Sequence, residues 1–515
     1  MGYGKERQNM AKKAELLIEK DLKIADIDER IYGSFIEHLG RAVYNGIYQP
    51  GHKEADEDGF RRDVLDLVKE LGVPIVRYPG GNYVSNFFWE DSVGPAADRK
   101  ARLDLAWRTV ESNKFGIGEF VKWCGKAGAE PMMAVNLGTR TTADALNLLE
   151  YCNLDTGTYY ADMRRRHGDV KPYGIKTWCM GNEMDGPWQT GHMPAYEYGR
   201  LAAETAKAMK YMDDSLEFVL CGSSGVDMPT FPEWERIALT EAYDYVDYIS
   251  LHQYYGNEAD DTADFLAKTL DLEHFIHTVI CACDYVQAVK RGSRRINLSF
   301  DEWNVWYHSK AADEEKMSRH PWDEHPHLLE DHYTFEDALL AGLMLITFLR
   351  HADRIRIACL AQLVNVIAPI MTEDDGGAWR QTIFYPFLHT SRYGRGTAMH
   401  GILNSERHDT SSHCDVTDAD AAVVYNEEKG EVAVFAVNRN VSEDVDFTVK
   451  LGGFERLQVR EHIVMESRNM KAVNSAEKET VKPVSSAQHS ISDGVLRTRL
   501  ASCSWNVIVM TEKDG

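Results

Sequence analysis

The sequence predicts an α/β chain in which a (β/α)8 barrel is followed by an antiparallel, jelly-roll-like β-sandwich. Three observations predict it. Short, nearly continuous apolar runs alternate with helical patterns up to about residue 390, the order expected of parallel strands buried on both faces. Past about residue 392 single apolar and polar residues alternate between turn signals, as in a sheet with one wet face. The length of 515 residues fits one large barrel plus an accessory domain.

The elements follow in chain order. "AELLIEKDLKIAD" precedes the barrel and reads as strand, so residues 1–25 are expected to join the C-terminal sandwich. The barrel is assigned to residues 26–392, and its eight strand candidates are "RIYGSFIE", "PIVRYPG", "PMMAVNLG", "IKTWCMGNE", "FVLCGSS", "VDYISLHQYY", "INLSFDEWN" and "RIACLAQLVN". Between them, "DGFRRDVLDLVKELG" has apolar residues at helical spacing with Gly72 just past its end. "PAYEYGRLAAETAKAMKYM" and "TFEDALLAGLMLITFLRHAD" read the same way. A doubly wound sheet is the alternative, but no G-x-G-x-x-G follows the first strand. Residues 393–515 carry the sandwich strands, among them "AAVVYNEEKGEVAVFAVNRN", "VDFTVKLGG", "LQVREHIVM" and "SWNVIVM".

Composition excludes some functions. A formal charge of −24 repels phosphate backbones and anionic membrane surfaces, so neither nucleic acid nor membrane is an expected partner. No run is long enough for a signal peptide or a membrane span. The 9 cysteines form no C-x-x-C pair, and Cys281 and Cys283 are too close in a probable helix to bridge. A cytoplasmic protein with reduced thiols is expected.

Active sites of such barrels lie at the C-terminal ends of the strands. The candidate runs end in Glu37-His38, Arg77 and Asn82, Asn136, Asn182-Glu183, Ser223-Ser224, His252 to Tyr254, Asp301-Glu302, and Gln362 with Asn365. One polar strand end is ordinary, whereas eight on one rim are hard to explain by packing. Glu183 and Glu302 stand out, because a facing carboxylate pair is what glycosidic cleavage needs: one protonated to donate, one ionised to attack or to activate water. Apolar neighbours such as Trp178 and Trp188 would raise the pKa of an adjacent carboxyl. The residues alone leave open which glutamate takes which part.

"YGSFIEHLGRAVYNGIY", "VRYPGGNYVSNFFWEDSVGP", "WCMGNEMDGPWQ", "YISLHQYYGN", "LSFDEWNVWY" and "ACLAQLVNVIAPI" together closely resemble glycoside hydrolase family 51, from about residue 13 to residue 509. Its members are mostly intracellular bacterial α-L-arabinofuranosidases. The resemblance implies a barrel with a β-sandwich and a retaining, double-displacement mechanism without cofactor or metal. It also implies that Glu183 is the general acid/base and Glu302 the nucleophile. The resemblance further implies that Asn182 holds the sugar's 2-hydroxyl and that Glu37, Asn82, Tyr254 and Gln362 line the sugar pocket. Trp107 and Trp306 resemble aromatic walls near the entrance. Arabinose-containing oligosaccharides are the implied substrates, and a homo-oligomer, often a hexamer, the implied assembly.

One region departs from the family pattern. "SRHPWDEHPHLLEDHY" follows strand seven and should overhang the pocket. Its four histidines lack H-E-x-x-H spacing, so a solvated or substrate-facing loop is expected rather than a metal cluster. Two other readings stay open: an endo-acting β-glucanase or xylanase, and a non-catalytic carbohydrate-binding protein.

Overall fold

The computed structural model describes residues 12–454 and 456–512. Eight parallel strands close a barrel in chain order: Gly33–Phe35, Ile75–Tyr78, Glu130–Ala134, Thr177–Met180, Glu217–Leu220, Tyr248–Tyr255, Asn297–Val305 and Ile355–Ala361. Each falls within one of the eight apolar runs or overlaps it. The last strand pairs with the first, Cys359 beside Gly33. Gly33 is required there, since a Cβ would meet the Ile75 side chain and the Ala358 carbonyl at 2.7 and 2.8 Å.

The intervening helices bury their apolar stripes on the barrel. Arg62–Leu71 buries Val64, Leu65, Leu67, Val68 and Leu71, and it stops at Gly72, whose φ of +68 is the left-handed cap that glycine adopts without strain. Helix Phe335–Arg350 is buried along nearly its whole length because it has a neighbour on each side: the barrel, and the sheet of the C-terminal domain. At its middle, Gly342 lets the Trp505 ring approach; a Cβ would lie 2.7 Å from it.

The C-terminal domain is one ten-stranded sheet that curls over on itself. Its edges come close enough for the His462 and His489 rings to stand 5.5 Å apart. The N-terminal strand Lys12–Asp26 lies in its middle, antiparallel to Thr397–Ser405 but parallel to Val445–Gly452, so the sheet is not wholly antiparallel. Residues 1–11 of the predicted N-terminal segment lie outside the described residues. Alternate side chains of the sheet, including Leu16, Val434, Phe447 and Ile508, fill a core separate from that of the barrel. All nine cysteines are free thiols. Among the described residues, no helix is long and apolar enough to cross a membrane.

Candidate active site

The strand ends gather around a pocket of about 440 Å³ at the C-terminal rim, walled by Glu183, Glu302, Glu37, Asn82, Tyr254 and Gln362, with Trp107, Trp188, Trp306 and Lys310 among the others. Backbone irregularities deliver the two carboxylates. Past strand four, Gly181 and Glu183 both take positive φ, +94 and +42. A left-handed glutamate is costly, and such strain concentrates at functional sites. In strand seven the pairing register slips between Ser299 and Glu302 on one side and between Phe300 and Trp303 on the other. Consecutive residues of a regular strand face opposite ways. Here the slip turns Asp301 and Glu302 toward the same two partners, Arg77 and His252.

Glu302 is buried and its oxygens are both engaged. Arg77 Nη1 donates to Oε1 at 2.7 Å, and the Tyr254 hydroxyl donates to Oε2 at 2.8 Å. Arg77 also donates to Asn182 Oδ1 at 2.7 Å and pairs with Asp301 at 3.6 Å. Burial works against its charge, but the Asp301 and Glu302 carboxylates hold it ionised well above the ordinary range. Burial raises Asp301 too, yet Arg77 and His252 bring it below the usual carboxylate value.

His252 joins the carboxylates. Its Nδ1 lies 2.9 Å from Glu183 Oε1 and 3.6 Å from Glu302 Oε2, and its Nε2 lies 2.9 Å from Asp301 Oδ1. Burial alone would discharge the ring, but Glu302, Asp301 and Glu183 outweigh it and hold the imidazolium well above its usual range. Glu183 takes a second donor from Trp188 Nε1, 2.5 Å from Oε2. Glu183, His252 and Glu302 each present an atom within 4.8 Å of the others. That closeness would suit a cation by distance, but N–H and O–H donors already occupy the atoms.

Glu37 has a different character. Its Oε1 accepts from the Tyr83 amide at 2.8 Å and from Trp107 Nε1 at 3.0 Å. Gln362 closes a second link, its Oε1 accepting from the Glu37 amide at 2.9 Å. Burial first, with the Glu302 charge nearby, pushes Glu37 up to about 8.

Most sequence-predicted residues therefore reach the pocket. Asn182 does not reach the wall: its amide is held behind it by Arg77, Gln189 at 3.2 Å and Asn82 at 3.5 Å. The expected apolar wall is corrected at both tryptophans. Trp178 is fully buried and bonds the Ile175 carbonyl, away from Glu183, while Trp188 meets Glu183 with its N–H. The strand-end reading includes Arg77, His252 and Asp301 but gives them no part. The available signal was a charge inside an otherwise apolar run, as in "PIVRYPG". The histidines of the loop after strand seven disperse: His325 stacks on Tyr44 at 3.8 Å, His327 pairs with Glu330 at 2.8 Å, and His332 lies by Trp379. The same loop brings Leu329 to the pocket and fastens the hairpin that carries Trp107, with the Trp322 amide donating to the Arg108 carbonyl at 2.6 Å.

A closed parallel barrel with two facing carboxylates on its C-terminal rim defines the class: a glycoside hydrolase. Comparison with known proteins narrows it. Residues 67–273 match the alpha-L-arabinofuranosidase 1 domain and residues 301–504 the alpha-L-arabinofuranosidase C-terminal domain. An intracellular exo-alpha-(1->5)-L-arabinofuranosidase of Acetivibrio thermocellus is 62% identical, over 96% of this chain and 99% of its own. One from Bacillus subtilis is 56% identical, over 98% of this chain and 100% of its own. The solved structure of a family 51 alpha-L-arabinofuranosidase from Bifidobacterium longum superimposes with a TM-score of 0.93 at 45% identity, covering 97% of this chain and 100% of that one. The chain belongs to the α-L-arabinofuranosidases of glycoside hydrolase family 51.

Proposed function

We propose that this protein is a retaining, exo-acting α-L-arabinofuranosidase that releases terminal arabinofuranosyl groups from arabino- and arabinoxylo-oligosaccharides. The observation that carries the reading is the approach of Glu183 and Glu302, whose carboxylates come within 4.8 Å across the pocket. Retaining enzymes hold the pair about 5–5.5 Å apart, whereas inverting ones leave room for a water at about 6.5–9.5 Å. In the proposed reaction Glu302, oriented by hydrogen bonds from Arg77 and Tyr254, attacks the anomeric carbon. Glu183 protonates the departing oxygen. The arabinosyl-enzyme is then hydrolysed by a water that Glu183 deprotonates, and the configuration is retained. Glu37, Asn82, Tyr254 and Gln362 bind the sugar, Trp107 and Trp306 flank the leaving group, and Asn182 orients Arg77 and Asn82 from behind.

The names of the relatives support an intracellular enzyme with (1→5) linkage preference. Family likeness supports a homo-oligomer, and the folding pattern supports a catalytic unit of residues 26–392 with residues 393–515 packed against it. The test is the hydrolysis rate on 4-nitrophenyl α-L-arabinofuranoside beside the β-D-xyloside and β-D-glucoside, for wild type and Glu302→Ala. Selective arabinofuranoside turnover that disappears in the variant is expected. Reducing ends released from a β-glucan, with the arabinofuranoside untouched, would overturn the reading in favour of an endo-acting enzyme.

A further inference from the structure

Lys310 opens the helix Lys310–Arg319 after strand seven, and it lines the pocket. Its ammonium stands 4.7 Å from the centre of the Trp306 ring. Trp306 in turn packs edge-on against Tyr254, ring centres 5.8 Å apart, and Tyr254 bonds Glu302. The series Glu302, Tyr254, Trp306, Lys310 therefore leads from the reacting carboxylate to the lip where the departing saccharide must lie. Two of the acids on the same helix are engaged elsewhere: Asp313 accepts from Ser309, and Glu315 pairs with Arg319. Among the described residues Lys310 is the one cation in a wall whose other charged groups are the carboxyls of Glu37, Glu183 and Glu302. In the hairpin turn that carries Trp107, the next residue, Arg108, is exposed.

We propose that this lip recognises a carboxylate on the leaving saccharide, so that the preferred substrates carry their arabinofuranosyl groups on uronic-acid-bearing oligosaccharides, with Lys310 as the partner of the acid. The proposal rests on the arabinofuranosidase reading above and names the substrate class within it. An ammonium on a four-carbon stem can follow a sugar carboxylate through several linkages, where a guanidinium fork would demand one geometry. The aromatic face beneath keeps the ammonium near the lip while leaving its donors free. Repulsion from the pocket floor is modest: Arg77 and His252 compensate Glu302 and Asp301, and Glu37 is mostly protonated at neutral pH.

The test uses two disaccharides of the same linkage, α-L-arabinofuranosyl-glucose and α-L-arabinofuranosyl-glucuronate, which differ only in CH2OH against COO⁻. At low salt the wild type is expected to favour the glucuronate by about five-fold in kcat/KM, carried by KM, the size of a partly exposed ion pair. The ratio should fall toward one in roughly 0.5 M salt and in Lys310→Met, and below one in Lys310→Glu. Equal or poorer use of the glucuronate by the wild type, or a ratio untouched in both variants, overturns the proposal and leaves the arabinofuranosidase reading standing. If both disaccharides and 4-nitrophenyl α-L-arabinofuranoside resist hydrolysis, that reading falls and takes this one with it.

Discussion

Glu302 and Glu183 face the same pocket but are held by different kinds of neighbour. Around Glu302 the charged donor is buried: Arg77 is 1% exposed and locked to Asn182 and Asp301 as well, while the second donor, Tyr254, is half-buried. Around Glu183 one donor, His252, is buried, while the other, Trp188, is 51% exposed on the loop beyond the strand. A nucleophile must stay ionised and aimed, which fixed donors achieve; a group that gives a proton away and takes one back needs a route to solvent. The contrast supports the roles proposed, since Glu183 has the more exposed of the donors, Trp188.

The most direct way to break the comparison is Glu302→Ala. A loss of kcat on the order of 10⁴-fold or more is expected on every substrate, because no arabinosyl-enzyme can form. Comparable loss in Glu183→Ala with nitrophenyl and natural leaving groups alike would erase the distinction. Instead, Glu183→Ala should cost about 10²–10⁴-fold on oligosaccharides and much less on 4-nitrophenyl arabinofuranoside, whose leaving group departs unprotonated. Added azide should restore turnover of the nitrophenyl substrate in that variant by attacking the arabinosyl-enzyme.

Glu37 sharpens the comparison, because it is a third carboxyl, and burial pushes it toward its protonated form. Its value of about 8 lies above the ordinary 4.5, so the fold favours its protonated form. The stability it contributes is complete below pH 4.5 and lost as pH rises through about 8. KM for arabinofuranosides should rise roughly tenfold across the same upper limb as the carboxyl stops donating to the sugar. Glu37→Gln, which cannot ionise, should flatten that limb; a KM limb near pH 8 unchanged in the variant would show that another group titrates. The smallest effect lies far from the rim. Gly342→Ala, with its Cβ 2.7 Å from Trp505, should cost about 1–3 kcal/mol in unfolding and leave kcat alone. A changed kcat would show that the sheet domain reaches the chemistry.

Much of this was legible in the sequence because buried parallel strands are short apolar runs, and the polar residues that end them have one rim to occupy. That logic finds Glu37, Glu183, Tyr254, Glu302 and Gln362. It fails where a position depends on another strand's register. The slip at Asp301 turns two consecutive acids to one side, which no periodicity within "INLSFDEWN" could reveal. Trp178 and Trp188 look alike as sequence neighbours of Glu183, yet one lies inside the strand and is buried in the core, while the other lies past the turn. The hairpin Arg102–Asp104 with Thr109–Glu111 escaped because its strands are three residues long.

The strand Lys12–Asp26 lies between two segments made late in synthesis, Thr397–Ser405 and Val445–Gly452. As the chain leaves the ribosome, that strand has to wait on the order of tens of seconds for its first partner, with Leu16 and Ile18 uncovered until the far end arrives. Stopping the chain at residue 392 would therefore not liberate a clean barrel. It would leave an orphaned, sticky edge, and trimming must remove the first strand together with the last domain.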